Sequence, residues 1–507
     1  MDTTKNETAA AADPRRWLAL AFIGLAQLMI VLDVTIVNIA LPSAQADLDI
    51  SDGDRQWVIT AYTLAFGGLL LLGGRIADYT GRRRAFLTGL VGFAAASAVG
   101  GAAPGFGALL GARAAQGAFA ALLAPAALSL LTTSFTEQRE RARAFGIFGA
   151  IAAGGGAIGL VTGGALTEYL DWRWCLYVNV PIAVAAAAGW WVLPADTRQQ
   201  RRRKIDVPGA LLAVTGLVAV VYGCSEAESE GWDSGVVLGL LFLGVALLTG
   251  FVLYERNAAE PLLPLRVLQS RARGSAFLSI ALATVGMFAM FLFLTYYMQV
   301  VMGYSALKTG VAFLPLAAGV LAGAGGLAGR LLPKVPPRAL IVPGLLCAAA
   351  GTGWLATLDA GSSYAAGVLP AELVVGVGMG LVMAPAINYA THGVREEEAG
   401  VASATVNTSQ QIGGSIGTAL LNTVATSATA DYLAERVPDA GALEERRAAG
   451  GPVPDVVKAG LVEGFASAYL VASVTLLAVA VVVAVLMNTP RPDRAGAAAA
   501  APAAHLG

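Results

Sequence analysis

Charge is scarce in this chain of 507 residues: Asp, Glu, Lys and Arg make up 13% of it, against 56% hydrophobic residues. A soluble domain carries about 25% charged residues to cover its surface, so several soluble domains are excluded and an apolar solvent is implied. Histidine occurs twice, at His392 and His505, which excludes a histidine-built metal centre. The three cysteines, Cys175, Cys224 and Cys347, fall within or at the edge of apolar runs and do not form a disulfide framework pattern. No Walker loop is present for ATP, and no acid cluster, nucleophile with a base, or metal set marks an enzyme. The formal net charge of -1 carries no information about partners.

What the chain has instead is apolar length. A bilayer span needs about 20 mostly apolar residues, and fourteen such stretches occur, near 17–42, 55–77, 85–103, 107–131, 143–166, 174–193, 207–225, 234–254, 275–301, 309–332, 338–358, 364–388, 399–425 and 465–487. Lys and Arg in the connecting loops report orientation, because positive charge stays on the cytoplasmic side. Of the 33 Lys and Arg, only Arg55, Arg173, Lys308, Arg436, Arg446, Arg447 and Lys458 fall in or at the edge of the odd-to-even loops, and Arg113 alone sits within a span away from its ends. The expectation is an all-α integral membrane protein with both termini cytoplasmic. The first stretch follows Arg15 and Arg16 but is too long for a signal-peptide core, so it is expected to remain as the first helix. Arg outnumbers Lys 28 to 5 in a chain rich in Ala and Gly, a composition that suggests a GC-rich bacterial source.

The segment GRIADYTGRRRAFLTGL, Gly74 to Leu90, has a weaker echo in GRLLPKVPPRALIVPGL, Gly329 to Leu345. Equating the two loops gives six helices, two accessory helices, then six more, the repeat plan of secondary transporters around a central site. The expected division is a tail at 1–16, a six-helix bundle at 17–193, a basic linker at 194–206, accessory helices at 207–254, a second linker at 255–274, a second bundle at 275–487 and a disordered tail at 488–507. The outer loop at 426–464 contains Pro438, Pro452 and Pro454 and an excess of acids, so a short helix or two with flexible joins is expected there, without a catalytic pattern.

Two intramembrane charges stand out. A carboxylate at Asp33 costs several kcal/mol unless it is paired, hydrated or protonated, so it is either a proton carrier or a structural acid held by neighbouring polar groups. Asp33 lies nine residues before Pro42, roughly 13 Å deep, and Arg113 lies ~9 Å below the same face. Similar depth makes them candidate partners, and a pair whose separation changes with conformation would bind and release a proton; the competing reading is an Arg113 that holds backbone carbonyls. Met287, Met290, Phe291, Leu294, Tyr297 and Met298 share one stripe of the ninth helix, suited either to varied apolar ligands or to packing. Asn407 and Gln411, four apart, and Gln299 are candidate hydrogen-bonding groups in a cavity, or helix-to-helix contacts. Glu372 falls in the outer part of the twelfth helix, leaving the ninth to thirteenth helices without a mid-span acid.

LDVTIVNIALP, Leu32 to Pro42, resembles the first-helix motif of the fourteen-helix drug:proton antiporters of the major facilitator superfamily, and it includes Asn38, a candidate substrate contact. GRIADYTGRRR is similar to the superfamily's motif A, with Gly74, Asp78, Gly81, Arg82 and Arg84 on its defining positions, and LLGARAAQGAFAA resembles motif B with its arginine at Arg113. GGAIGLVTGG, with Gly155, Gly159, Gly163 and Gly164, resembles the antiporter motif C, except that Leu160 stands where the family usually has proline. WRWCLYVNVP, GYSALKTGVAFLP and GVASATVNTSQQIGGSIGTA extend the likeness over nearly the whole apolar region. The resemblance implies a motif A loop that latches the two halves on the cytoplasmic side.

The resulting expectation is an exporter of small amphipathic drugs, antibiotics or secondary metabolites that exchanges them for protons by alternating access. It would work as a monomer in the bacterial cytoplasmic membrane, with no cofactor, metal, ATP or nucleic acid. The alternative is a proton-coupled importer or facilitator of a small metabolite, since fold does not set direction.

Overall fold

The computed structural model describes residues 15–135, 137–196, 206–258, 261–263, 270–332, 334–391, 399–436 and 454–487. The tails and most of the basic linker fall outside these residues. The described residues form fourteen helical segments and no strand. They are α1 Arg16–Asp47, α2 Trp57–Thr80, α3 Arg82–Gly101, α4 Phe106–Ser134, α5 Gln138–Tyr169, α6 Trp174–Trp191, α7 Val207–Glu230 and α8 Gly235–Asn257. The second series is α9 Arg271–Tyr296, ending in a π-turn at Tyr297–Val301, then α10 Ala306–Leu331, α11 Arg338–Leu355, α12 Leu369–Thr391 with a leading π-turn at Tyr364–Val368, α13 Ala399–Arg436 and α14 Asp455–Leu486.

Helix ends follow local chemistry. Asp206 accepts from Gly209 N at the start of α7, where Pro208 occupies the first turn, and Ser305 accepts from Lys308 N at the start of α10. Each satisfies a donor that helix geometry leaves open. Gly81, at φ 103°, ends α2 and turns the chain directly into α3, a conformation that a side chain resists.

Thirteen of these helices are long and apolar enough to cross a membrane; α13 is the exception. Its 38 residues carry Ser, Thr, Asn and Gln at many positions, and it packs against α2, α7, α9 and α14, so neighbouring helices stand where lipid would otherwise be. It also runs to Arg436, and α14 starts at Asp455. The stretch expected as a loop at 426–464 is therefore helical at both ends, because no proline interrupts it before Pro438 or after Pro454.

Helices α1 to α6 pack mainly on one another, as do α9 to α14, while α7 lies against α2 and α13 and α8 lies against α7. One buried cluster, from Ala19 to Leu193, belongs wholly to α1–α6 and the short segments between them. A second joins α9–α14 to Leu32–Ala44, Val58, Leu160 and Leu176 of the first six helices. These latter residues lie in the halves of their helices nearer the arginine-poor loops, so the two halves share a core there.

Candidate functional site

Glycine brings α2 and α4 together. A Cβ at Gly117 would lie 2.3 Å from the Tyr62 carbonyl oxygen, and one at Gly73 would lie 2.1 Å from that of Ala121. This approach lets the fully buried Arg113 on α4 donate from Nε to the Val58 carbonyl oxygen at 2.9 Å. The guanidinium also lies 4.5 Å from the centre of the Tyr62 ring.

Asp33 on α1 has no exposed surface. Arg113 Nη1 donates to its Oδ2 at 2.7 Å, while Asn179 Nδ2 on α6 and Gln116 Nε2 on α4 donate to its Oδ1 at 2.7 and 3.0 Å. Ser97 on α3 accepts from Gln116 Nε2 at 2.6 Å. Four helices thus meet around one carboxyl whose three named partners all donate, an arrangement that suits the ionised form. The structure brings Asp33 and Arg113 together; Gln116, Asn179, Ser97 and Tyr62 were not singled out from sequence. Gln116 follows Arg113 by three residues on the same helix face, and Asn179 stands within WRWCLYVNVP, so a weak signal for both was present.

The motif A residues form a turn held from a distant position. Asp196 accepts from Arg83 N at 2.9 Å and Arg84 N at 3.4 Å, so it caps the start of α3. A Cβ at Gly81 would lie 2.4 Å from the Asp196 carboxyl. Arg83 covers the Trp190 ring at 3.6 Å, and Arg75 donates to the Pro261 carbonyl oxygen at 2.5 Å, tying the loop to the chain that follows α8. Asp78 and Arg82 are also engaged in interactions. Gly74 has ordinary space, with Pro125 at 3.7 Å.

Gly155, Gly159 and Gly163 face α1: Cβ atoms there would lie 3.1 Å from Leu28, 1.9 Å from Thr35 and 2.9 Å from Ile36. Gly164 faces the other half instead, at 2.6 Å from Ala306 and Leu307 of α10. Leu160, where the antiporter motif usually has proline, presents its carbonyl oxygen to Gly310 of α10, where a Cβ would lie only 2.1 Å from that oxygen. Glu168 completes this seam by accepting from Leu307 N at 3.0 Å.

The expected substrate contacts are dispersed. Met290 and Tyr297 are buried in the second half's core, Tyr297 donating to the Asp359 carbonyl oxygen at 2.7 Å. Phe291 packs on Phe313, with ring centres 5.1 Å apart. Asn38 donates to Val34 of its own helix and Gln299 donates to Ile39 of α1. Gln411 packs against Gly67 of α2, and Asn407 is exposed on the same helix.

More bonds cross between the halves near the arginine-poor loops. Buried Arg55 donates to Asn422 Oδ1 at 3.1 Å and stacks over Tyr296 at 4.3 Å, while Asn422 donates to the Asp52 carbonyl oxygen at 3.2 Å. Thr63 and Ser415 share a hydrogen bond at 2.7 Å.

The comparisons with known proteins agree with this architecture. The chain is 52% identical over 495 residues to a puromycin resistance protein of Streptomyces alboniger, covering 97% of this chain and 95% of the relative. It is 41% identical over 436 residues to a cephamycin export protein of Amycolatopsis lactamdurans, covering 85% and 88%. Among solved structures, a bacterial homolog of the human lysosomal transporter Spinster matches with a TM-score of 0.67 at 16% identity, covering 93% of this chain and 96% of that one; at that identity the likeness concerns the fold alone. The Major Facilitator Superfamily model matches residues 23–418. This protein, a multi-pass membrane transporter and not an enzyme, therefore belongs to the major facilitator superfamily.

Proposed function

We propose that the chain exports small amphipathic, antibiotic-like compounds across the bacterial cytoplasmic membrane in exchange for protons, and that Asp33 carries the proton. The observation that carries this reading is the fully buried Asp33 carboxyl with Arg113 at 2.7 Å. An unpaired ionised acid is costly inside a bilayer, so the pair has two economical states: closed and ionised, or separated with Asp33 protonated. Separating α1 from α4 would remove both Arg113 and Gln116 from Asp33, and proton binding would then replace the lost charge pairing. Each proton that neutralises Asp33 favours the separated state, and each return of Arg113 expels it.

The names of the relatives support the cargo class, resistance to puromycin for one and export of a cephamycin for the other. Gly74, Asp78, Gly81, Arg82 and Arg84 serve as the cytoplasmic latch in this reading. Gly155, Gly159, Gly163 and Gly164 let α5 slide closely against α1 and α10.

The test uses acid-loaded inside-out vesicles and puromycin as the first compound, followed by a panel of amphiphilic antibiotics. Compound-dependent proton release is expected from the native chain and not from Asp33→Asn, which keeps the shape and removes the titration. Normal uphill export by an inserted Asp33→Asn protein would sink the mechanism.

A further inference from the structure

Glu372, like Asp33, is an acid of the apolar region with no exposed surface, and the Asp33 scheme does not use it. It sits one turn into α12, with no exposed surface, and its Oε1 has no hydrogen-bond partner. Its Oε2 lies 3.3 Å from the Tyr364 hydroxyl, which is also 2.6 Å from the Ala312 carbonyl oxygen on α10. A phenol has one hydrogen. A carbonyl cannot donate, so the shorter contact draws that hydrogen and leaves Glu372 at most a long share of it. A carboxylate there would be nearly without a donor; a carboxylic acid can donate to the Tyr364 oxygen.

The surrounding groups offer no substitute for that proton. On the α12 side is Tyr364, and its ring centre lies 6.4 Å from that of Tyr304. The Lys308 ammonium of α10 stands over the Tyr304 ring, 3.5 Å from its centre. Tyr297 of α9 donates to Asp359, whose carboxylate accepts from Gly361 N and Ser362. Tyr469 of α14 is buried and its hydroxyl has no partner. Cys347 of α11 packs beside Gly378, six residues further along α12. The charged residues of α13, Asp431, Glu435 and Arg436, are exposed in its last turns. No ion pair of Glu372 occurs among the described residues. A buried carboxyl without a cation neutralises itself by taking a proton.

We propose that Glu372 is a second proton-binding site, loaded when the arginine-poor face is closed and emptied when that face opens. Tyr364 links α12 to α10, and Glu168 of α5 docks the start of α10. Withdrawing α10 from α5 therefore loosens the roof over the acid. Water then reaches the carboxyl, the O–H bond breaks and the proton passes to that water. Acid on that side stabilises the closed form, and alkali favours opening, because the closed form binds the extra proton. The link to opening rests on the alternating-access reading; the bound proton itself does not.

The test is infrared difference spectroscopy of the full-length protein in lipid nanodiscs, across a titration from neutral to alkaline pH. The native protein should show a protonated-carboxyl C=O band at neutral pH that fades as pH rises. Glu372→Gln should lack that band, Asp33→Asn should keep it, and Tyr364→Phe should shift it, since the acid loses its acceptor. A native band that survives Glu372→Gln unchanged overturns the assignment, as does one that never titrates while the protein stays folded. If Glu372→Gln fails to fold, the presence or absence of the Tyr364→Phe shift decides the matter. Failure of the Asp33 scheme would leave this band in place, so the two readings fail separately.

Discussion

At the scale of single residues, Asp33 and Arg113 are each justified by the other. Removing one member of a buried ion pair strands the other charge and costs about 3–5 kcal/mol, whereas replacing both with neutral groups of similar size costs far less. Arg113→Leu should therefore lower the melting temperature in detergent more than the double variant Asp33→Asn, Arg113→Leu. Equal losses would mean that Arg113 acts through its bond to Val58 rather than through the acid. The pair was legible in the sequence because a charge in an apolar run is conspicuous and helix rise converts position into depth. Gln116, Asn179 and Ser97 were not, because neutral polar side chains are common between membrane helices and the sequence does not say which of them share a point in space. Glu372 was visible only as an acid near a helix end; its enclosure by Tyr364 and its place beside α10 depend on segments far apart in the chain.

At the scale of helices, glycine sets how near α1 and α5 approach. A Cβ at Gly163 would lie 2.9 Å from the Ile36 Cα, whereas one at Gly149 on the same helix meets nothing within 4 Å. Overpacking a close contact costs about 1–3 kcal/mol, so Gly163→Ala should reduce thermal stability and vesicle transport while Gly149→Ala leaves both near native. Matching losses at the two positions would rule out the α1–α5 approach as the cause, since alanine by itself favours the helix over glycine. The four-residue glycine spacing announced this face in the sequence. The extension of α13 to Arg436 was harder to see, since its polar surface looks like a loop until α2, α7, α9 and α14 are known to cover it.

At the scale of the whole molecule, alternating access requires the bonds between the halves to break. Thr63 on α2 and Ser415 on α13 place their hydroxyl oxygens 2.7 Å apart, within the reach that a disulfide needs once the backbones adjust slightly. In a chain with Cys175, Cys224 and Cys347 replaced by Ser, Thr63→Cys with Ser415→Cys should stop transport on oxidation and recover it on reduction. Undiminished transport by the cross-linked protein would show that these helices stay together throughout the cycle. The fourteen-helix plan was readable from apolar length and Arg placement, and the pairing of α2 with α13 across the halves was not, because nothing local in either segment names its partner.

The placement of α7 also bears on how the halves meet. Ser225 accepts from Gln56, just before α2, and from Trp57 at its start, and the Cys224 carbonyl oxygen accepts from Thr423 of α13, so α7 bridges the seam where those two helices meet. The opposite seam, between α5 and α10, is packed through Gly164 and Gly310 and has no accessory helix laid over it among the described residues. The two seams between the halves are thus unlike: α7 shutters the α2–α13 seam, while the α5–α10 seam is closed by glycine-mediated backbone contact.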